Sequence, residues 1–208
     1  GPRLAVAHRL RGREPASTVL VPGTAEGLES RLVPARGFEL LTIPKLPFPR
    51  RPSRAALQFP ARYRAAVDDV SAIIADRGVD LIIGVGGYVA APAYSAARRT
   101  SVPLAIHEAN AKPGIANRLG ARHTTFVGVA FAGTPLPHAE HVGMPLRVEI
   151  ERLDVFAARA EALRFFTLDA GRPVLLVTGG SSGAKRINET IAAAAPAILG
   201  AGWQILHI

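Results

Sequence analysis

Three glycines within four residues, Gly84, Gly86 and Gly87, break the apolar run that starts at Val79 and lead through Tyr88 into an alanine-rich, helix-like stretch. Glycine takes up positive φ and carries no Cβ, so backbone N–H groups at such a break can close on a ligand. A helix beginning there also points its positive end at the same spot. The chemistry is anion binding, with phosphate the natural guest. A glycine that only makes the turn is the alternative for any single loop. The order recurs at 173–186, where the run Val174-Leu175-Leu176-Val177 meets Thr178-Gly179-Gly180-Ser181-Ser182-Gly183 and then Ala184-Lys185-Arg186. Two such loops suggest two lobes facing one ligand cleft.

A second group follows the apolar run 102–106: His107, Glu108 and Asn110. If this run and 79–85 are parallel strands, these residues reach the same sheet edge as the first glycines. A His–Glu pair can hold an imidazole tautomer or accept sugar hydroxyl protons, and Asn110 can both donate and accept. The other reading is a satisfied turn in which Asn110 caps the short helix after Pro113.

The elements that would position these groups alternate strand and helix. Helices are expected over 4–13, 26–35, 54–77, 92–99, 113–119, 151–164 and 184–199. Strands are expected over 18–21, 39–43, 79–85, 102–107, 125–129, 140–142, 174–177 and 204–208. Continuous apolar runs closed by glycine suit strands covered on both faces, which points to an α/β fold with parallel sheets. A domain boundary is expected near 144–148, where the strand pattern pauses at Pro145. The Pro/Arg-rich stretch 44–54 looks like an exposed loop.

Composition narrows the partners. The 208 residues are 49% hydrophobic, ample for a core, and contain no cysteine, which excludes a disulfide scaffold, a thiolate metal site and a catalytic thiol. No apolar run is long enough to span a membrane as a helix. The formal charge of +9 favours phosphate-bearing partners. Nucleic acid fits poorly, because there is no zinc-finger spacing and no basic helix with interleaved stacking aromatics. Nucleotide and membrane phosphates remain. His8, His123, His138, His141 and His207 share no ligand spacing and receive no chemical role.

Four segments in order, GVGGYVAAP (84–92), HEANAKPGIANR (107–118), VGMPLR (142–147) and VTGGSSGAKRIN (177–188), resemble the MurG family of glycosyltransferases, and the resemblance covers essentially the whole chain. It implies the GT-B architecture of two Rossmann-like α/β domains: an acceptor-side domain over 1–146 that lacks its initial strand, and a donor-side domain over 147–208 that is only begun. It also implies an activity, the transfer of N-acetylglucosamine from UDP-N-acetylglucosamine to undecaprenyl-pyrophosphoryl-muramoyl-pentapeptide in peptidoglycan synthesis. The expected location is peripheral, on the cytoplasmic face of the bacterial membrane, and the family needs no cofactor and no essential metal. Position by position, Gly86, Gly87 and Tyr88 match the loop that faces the acceptor pyrophosphate. Asn110, Arg147 and Ser181 match contacts to the nucleotide sugar, and His107 and Glu108 match neighbouring cleft residues.

These implied roles make physical sense. Expelling a UDP diphosphate without a metal requires fixed positive ends, which the planar fork of Arg147 and the N–H groups around Ser181 would supply. Read without the resemblance, Arg147 could equally be a solvated linker residue. The family's first glycine-rich loop, with its His, and the expected catalytic-base region have no counterpart here, and neither do the later segments for uracil, ribose and sugar. The chain therefore reads as a fragment, expected to be inactive alone, with unpaired backbone groups beside the missing central strand. Met144 stands where many family members have Asn, at the cost of one hydrogen bond.

Arg50, Arg51, Arg54, Arg62 and Arg64 surround Leu57, Phe59 and Tyr63. This mixture suits an interfacial patch for an anionic membrane surface, each basic residue contributing roughly 1 kcal/mol near such a leaflet. An ordinary helix with Leu and Phe facing the core is the alternative. Two rival functions are also open. A nicotinamide-dependent oxidoreductase would use Gly84, Gly86 and the acid Glu108, but Val89 occupies the third glycine position. A non-catalytic basic module at the membrane surface needs only the patch.

Overall fold

Every strand pairing described in the chain is parallel. The structure is a computed structural model that describes residues 2–208 apart from 26, 28, 44, 45, 47, 50–53, 88 and 181–183, with the backbone alone described at 54 and 55. Two compact units emerge, residues 1–148 and 149–208, so Arg147 lies at the end of the first.

The first unit opens with helix α1 (Pro2–Arg13), strand β1 (Leu20–Gly23), a one-turn helix α2 (Glu29–Leu32) and strand β2 (Glu39–Thr42). The sequence predicted one helix over 26–35. Instead α2 gives way to a 3-10 turn over Pro34–Arg36, which Gly37 ends in the left-handed region at φ 70°. Pairing of β1 with β2 makes a two-stranded sheet, and Ala7, Val21, Val33 and Phe38 form a small core under it. The Arg11 guanidinium lies 4.2 Å from the Phe38 ring centroid and donates to the Gly37 carbonyl, tying α1 to this turn.

Helix α3 (Arg54–Asp76) buries Val67, Val70 and Ile74, a 3–4 spacing that makes one apolar stripe. The stripe packs on helix α4 (Ala90–Thr100), whose Ala93 and Ala96 let the two axes approach closely. Ile43, just past β2, joins the same core. The Tyr63 hydroxyl lies 2.9 Å from the Ala91 carbonyl and 2.7 Å from Ser95 Oγ, fixing the register of the helix pair.

Beneath these helices lies a four-stranded sheet in sequence order: β3 (Ile82–Gly84), β4 (Leu104–Glu108), β5 (Phe126–Val129) and β6 (Ala139–His141). Its helix α5 (Ile115–Gly120) is short and starts from Gly114, which has no side-chain cap. Asn110 is therefore not the cap that one sequence reading required. β3 is also shorter than the predicted 79–85, because Val79 is used to close the end of α3: its N–H donates to the Ile74 carbonyl at 3.0 Å. The β1–β2 pair and the four-stranded sheet remain separate sheets.

The second unit contains α6 (Val148–Glu151), α7 (Val155–Phe165), strand β7 (Val174–Val177), α8 (Lys185–Gly200) and strand β8 (Gln204–His207). A single helix over 151–164 was expected. Asp154 divides it, because its carboxylate accepts from the N–H groups of Phe156 and Ala157 as an N-cap. β7 and β8 are parallel, with α8 as the crossover. Gly179 is needed where β7 turns towards α8, since a Cβ there would lie 2.5 Å from Ala184 Cβ.

The core of the first unit is organised around one ring. Tyr94 of α4 is 2% exposed and is wedged between two glycines. A Cβ at Gly84 would fall within the Tyr94 ring and hydroxyl, and one at Gly120 would meet the same ring and come within 2.7 Å of Ile106 Cδ1. Neither glycine has a positive φ, so both are required by packing. Gly120→Ala should therefore destabilise the protein by about 2–3 kcal/mol in denaturant unfolding. Gly180→Ala, where a Cβ meets nothing, is the matched control.

Candidate functional site

Strand register sets the site. Gly84 pairs with Ile106 and Glu108 with Val129, so the chain leaves β3 and β4 at the same carboxyl edge, the usual ligand edge of a parallel sheet. There 84–87 and 108–114 form adjoining loops. Gly86, Gly87, His107, Glu108 and Asn110 gather at this edge, while Tyr88 and Ser181 lie outside the described residues.

Glu108 is 2% exposed, and among the described residues no Lys or Arg bridges it. Its carboxylate is instead solvated by amides. Oε1 accepts from the backbone N–H and side-chain Nδ2 of Asn110, both at 2.9 Å. Oε2 accepts from the Gly114 N–H and from Asn117 Nδ2, also at 2.9 Å. Burial by itself would raise the Glu108 pKa, but the amides of Gly114 and Asn110, with the Asn117 and Asn110 side chains, outweigh it and hold the group below its ordinary value. With these bonds filled, Glu108 builds the loop and is not available as a free acid or base.

His107 does not pair with Glu108. Consecutive strand residues face opposite ways, and the buried imidazole turns Nε2 to the Gly143 carbonyl at 2.8 Å. A carbonyl only accepts, so Nε2 carries the proton, and the buried Nδ1 has no partner among the described residues. The bond ties the end of β4 to the turn before Arg147, where Gly143 sits at φ 75°. Arg147 itself is exposed, and so is Asn110.

Two residues that sequence reasoning did not single out connect the loops. Asn117, 1% exposed, gives Nδ2 to Glu108 and to the His107 carbonyl at 3.3 Å, and its Oδ1 accepts from the Tyr94 hydroxyl at 2.8 Å. The same hydroxyl accepts from the Gly86 N–H at 3.2 Å. Burial raises the Tyr94 pKa strongly and the nearby Glu108 charge adds to it, against the Gly86 N–H, so the hydroxyl stays protonated and can donate to Asn117. The available signal was a lone large ring in the alanine stretch 90–97, with Gly84 and Gly120 small enough to receive it. Nothing in the spacing marked Asn117.

Because the Gly86 N–H is occupied, the two loop glycines differ in role. Gly86, at φ 79° against the Asn117 amide, shapes the turn. Gly87, at φ 97°, is exposed, with nothing within 4 Å of where a Cβ would stand, and its N–H has no partner among the described residues. α4 begins immediately after this loop without a side-chain cap. Open backbone at Gly87 and the uncapped first turn of α4 can together receive an anion.

The Arg-rich segment divides as well. Leu57 is 84% exposed and Arg62 is exposed, whereas Phe59 stacks between Phe48 and Tyr63 at centroid distances of 5.3 and 5.8 Å. The Arg54 side chain lies outside the described residues.

Glu108 also has a pH signature. Its folded pKa lies below the unfolded value, so its stabilisation is complete above the ordinary glutamate range and disappears as pH falls through the lowered folded value. Glu108→Gln, which turns an NH2 group towards N–H donors, should cost about 2–4 kcal/mol near neutral pH. The gap between mutant and parent should narrow in acid, as followed by thermal unfolding across pH.

The comparisons with known proteins agree with this architecture. The model of the glycosyltransferase family 28 N-terminal domain matches residues 1–129. A relative from Leifsonia xyli subsp. xyli, named UDP-N-acetylglucosamine-N-acetylmuramyl-(pentapeptide) pyrophosphoryl-undecaprenol N-acetylglucosamine transferase, is 66% identical over 207 residues, covering 100% of this chain and 58% of its own length. Relatives of the same name from Clavibacter sepedonicus and Streptomyces coelicolor are 61% and 47% identical, with 57% of each relative covered. The chain thus spans little more than half the length of the curated relatives it matches. Among solved structures, MurG of Acinetobacter baumannii superposes with a TM-score of 0.65 at 23% identity, over 100% of this chain and 61% of that one. A glycosyltransferase from Rickettsia africae gives 0.63 at 9% identity, over 99% and 63%. These likenesses fix the fold as the Rossmann-like α/β type of GT-B enzymes. With its family model matched over more than half its length and a parallel sheet that gathers polar loops at one edge, the chain belongs to glycosyltransferase family 28.

Proposed function

We propose that this chain is the acceptor-side part, with the start of the donor-side part, of a transferase that moves N-acetylglucosamine from UDP-N-acetylglucosamine to an undecaprenyl-pyrophosphoryl-muramoyl-pentapeptide. The observation that carries the reading is the shared carboxyl edge of β3 and β4. There an open glycine backbone and an uncapped helix start stand beside the Asn110 loop, in a chain whose relatives bear that transferase name.

In the proposed reaction an acceptor hydroxyl attacks the anomeric carbon of the donor sugar, the carbon–oxygen bond to UDP breaks, and the hydroxyl proton passes to a base. No residue of this chain is assigned that base. Gly87, with Tyr88, takes the acceptor pyrophosphate, while Gly86 holds the turn. Asn110 meets the nucleotide sugar; its backbone N–H and one Nδ2 hydrogen are engaged by Glu108, which leaves Oδ1 to accept from a sugar hydroxyl and the second Nδ2 hydrogen to donate to one. Arg147 and Ser181 offset the charge that develops on the leaving diphosphate. His107 contributes by holding the turn before Arg147.

The same geometry argues against a nicotinamide enzyme, whose acid must accept from ribose hydroxyls. Each Glu108 oxygen already accepts from two N–H groups of its own loop and of α5. In the full-length protein, Asn110→Ala and Arg147→Ala should each lower kcat/KM by about 10²–10³ in transfer of labelled N-acetylglucosamine. A parental rate in either variant would remove that residue from the site.

The exposed Leu57 and Arg62 support a peripheral seat on the cytoplasmic face of the bacterial membrane. Among the described residues no helix is long and apolar enough to cross one. Binding should require anionic lipid, weaken as salt rises, and decline in Leu57→Glu. Vesicle co-sedimentation checks this, and equal binding to neutral vesicles would rule the patch out.

A further inference from the structure

The Tyr94 hydroxyl bonds to the supports of both loops, and nothing in the proposed chemistry uses it. It accepts from the Gly86 N–H in one loop and donates to Asn117 Oδ1. Asn117 in turn donates to Glu108, whose other bonds hold Asn110 and Gly114 in the second loop. The ring cannot swing away, because Gly84 and Gly120 close on its two sides. The Tyr94–Asn117 and Asn117–Glu108 bonds at the centre of the chain of contacts are buried, so water cannot readily replace them.

We propose that Tyr94 is a positioning residue: through Asn117 and Glu108 its hydroxyl locks the 84–87 loop to the 108–114 loop, so that the acceptor side and the sugar side of the site are held as one body. The inference rests on the reading of these loops as acceptor and nucleotide-sugar contacts, but the lock itself is a property of the fold. Gly86 at φ 79° keeps its unusual conformation with the hydroxyl as N–H partner, and Asn110 keeps its place only while Glu108 stays between Asn110, Gly114 and Asn117.

Tyr94→Phe keeps the ring between its two glycines and removes only the lock. In the full-length protein, amide hydrogen exchange should accelerate about tenfold or more at both 84–87 and 108–114. Ser95→Ala, on the same helix but bonded to Tyr63, should leave both loops at the parental rate. In transferase assays the KM for acceptor and for nucleotide sugar should rise together. A merely destabilised enzyme would lose active fraction, which appears as a lower kcat at unchanged KM. Asn117→Ser cuts the same connection from the other side and should reproduce the exchange pattern, so it carries the test if Tyr94→Phe melts at the assay temperature. Parental exchange, or acceleration confined to one loop, overturns the lock, and unchanged KM values overturn the positioning role. Should the parent protein transfer no N-acetylglucosamine, the proposed function fails while the exchange result still decides the lock.

Discussion

A carboxylate buried without a cation has to be solvated by the protein's own N–H groups, and at Glu108 this requirement shapes the carboxyl edge of the four-stranded sheet. Four donations reach it from three residues, Asn110, Gly114 and Asn117, which fixes the loop after β4 and the start of α5 relative to the strand. Removing a single donor would expose the negative charge to a low-dielectric interior, so the arrangement is held as a set. Each amide side chain involved has a second end. Asn117 spends its own on Tyr94, and the exposed Asn110 keeps its own free of the loop, where a ligand can meet it.

The glycines divide by physical role in a way their spelling conceals. Gly84 and Gly120 make room for one buried ring. Gly86 and Gly87 provide the positive φ values that turn the chain over the sheet edge, and of these two it is Gly87 whose N–H has no partner among the described residues. The helix that follows is almost all alanine on its buried side, which brings α3 close and places the Tyr94 ring over the sheet. Packing and chain reversal thus share one short segment, with Gly84 serving the first and Gly86 and Gly87 the second.

Much of the layout was legible in the residues. The α/β alternation, the parallel pairing and the shared edge of the two loops follow from apolar runs closed by glycine. Element ends were less legible where backbone groups were claimed locally. Val79 closes α3 instead of extending β3, Gly37 ends a 3-10 turn where a longer helix was expected, and Asp154 caps α7 and so splits the preceding helix. In the Arg-rich segment, charge pattern alone left two readings open. The exposed Leu57 and Arg62 and the stacked Phe59 and Tyr63 each occupy a different part of it.

By itself the sequence determined the fold class and the presence of a glycine loop beside a polar His-Glu-Asn edge, because local periodicity and backbone freedom are properties of neighbouring residues. Tertiary structure alone decided what each polar group does there. Glu108 became a loop anchor through bonds spanning 2 to 9 residues, while His107 became a clasp on the turn before Arg147 and Tyr94 with Asn117 the link between loops through bonds spanning 8 to 36. A hydrogen bond is assigned by proximity and burial, and neither can be read from order along the chain when the partners are brought together by a β–α–β crossover.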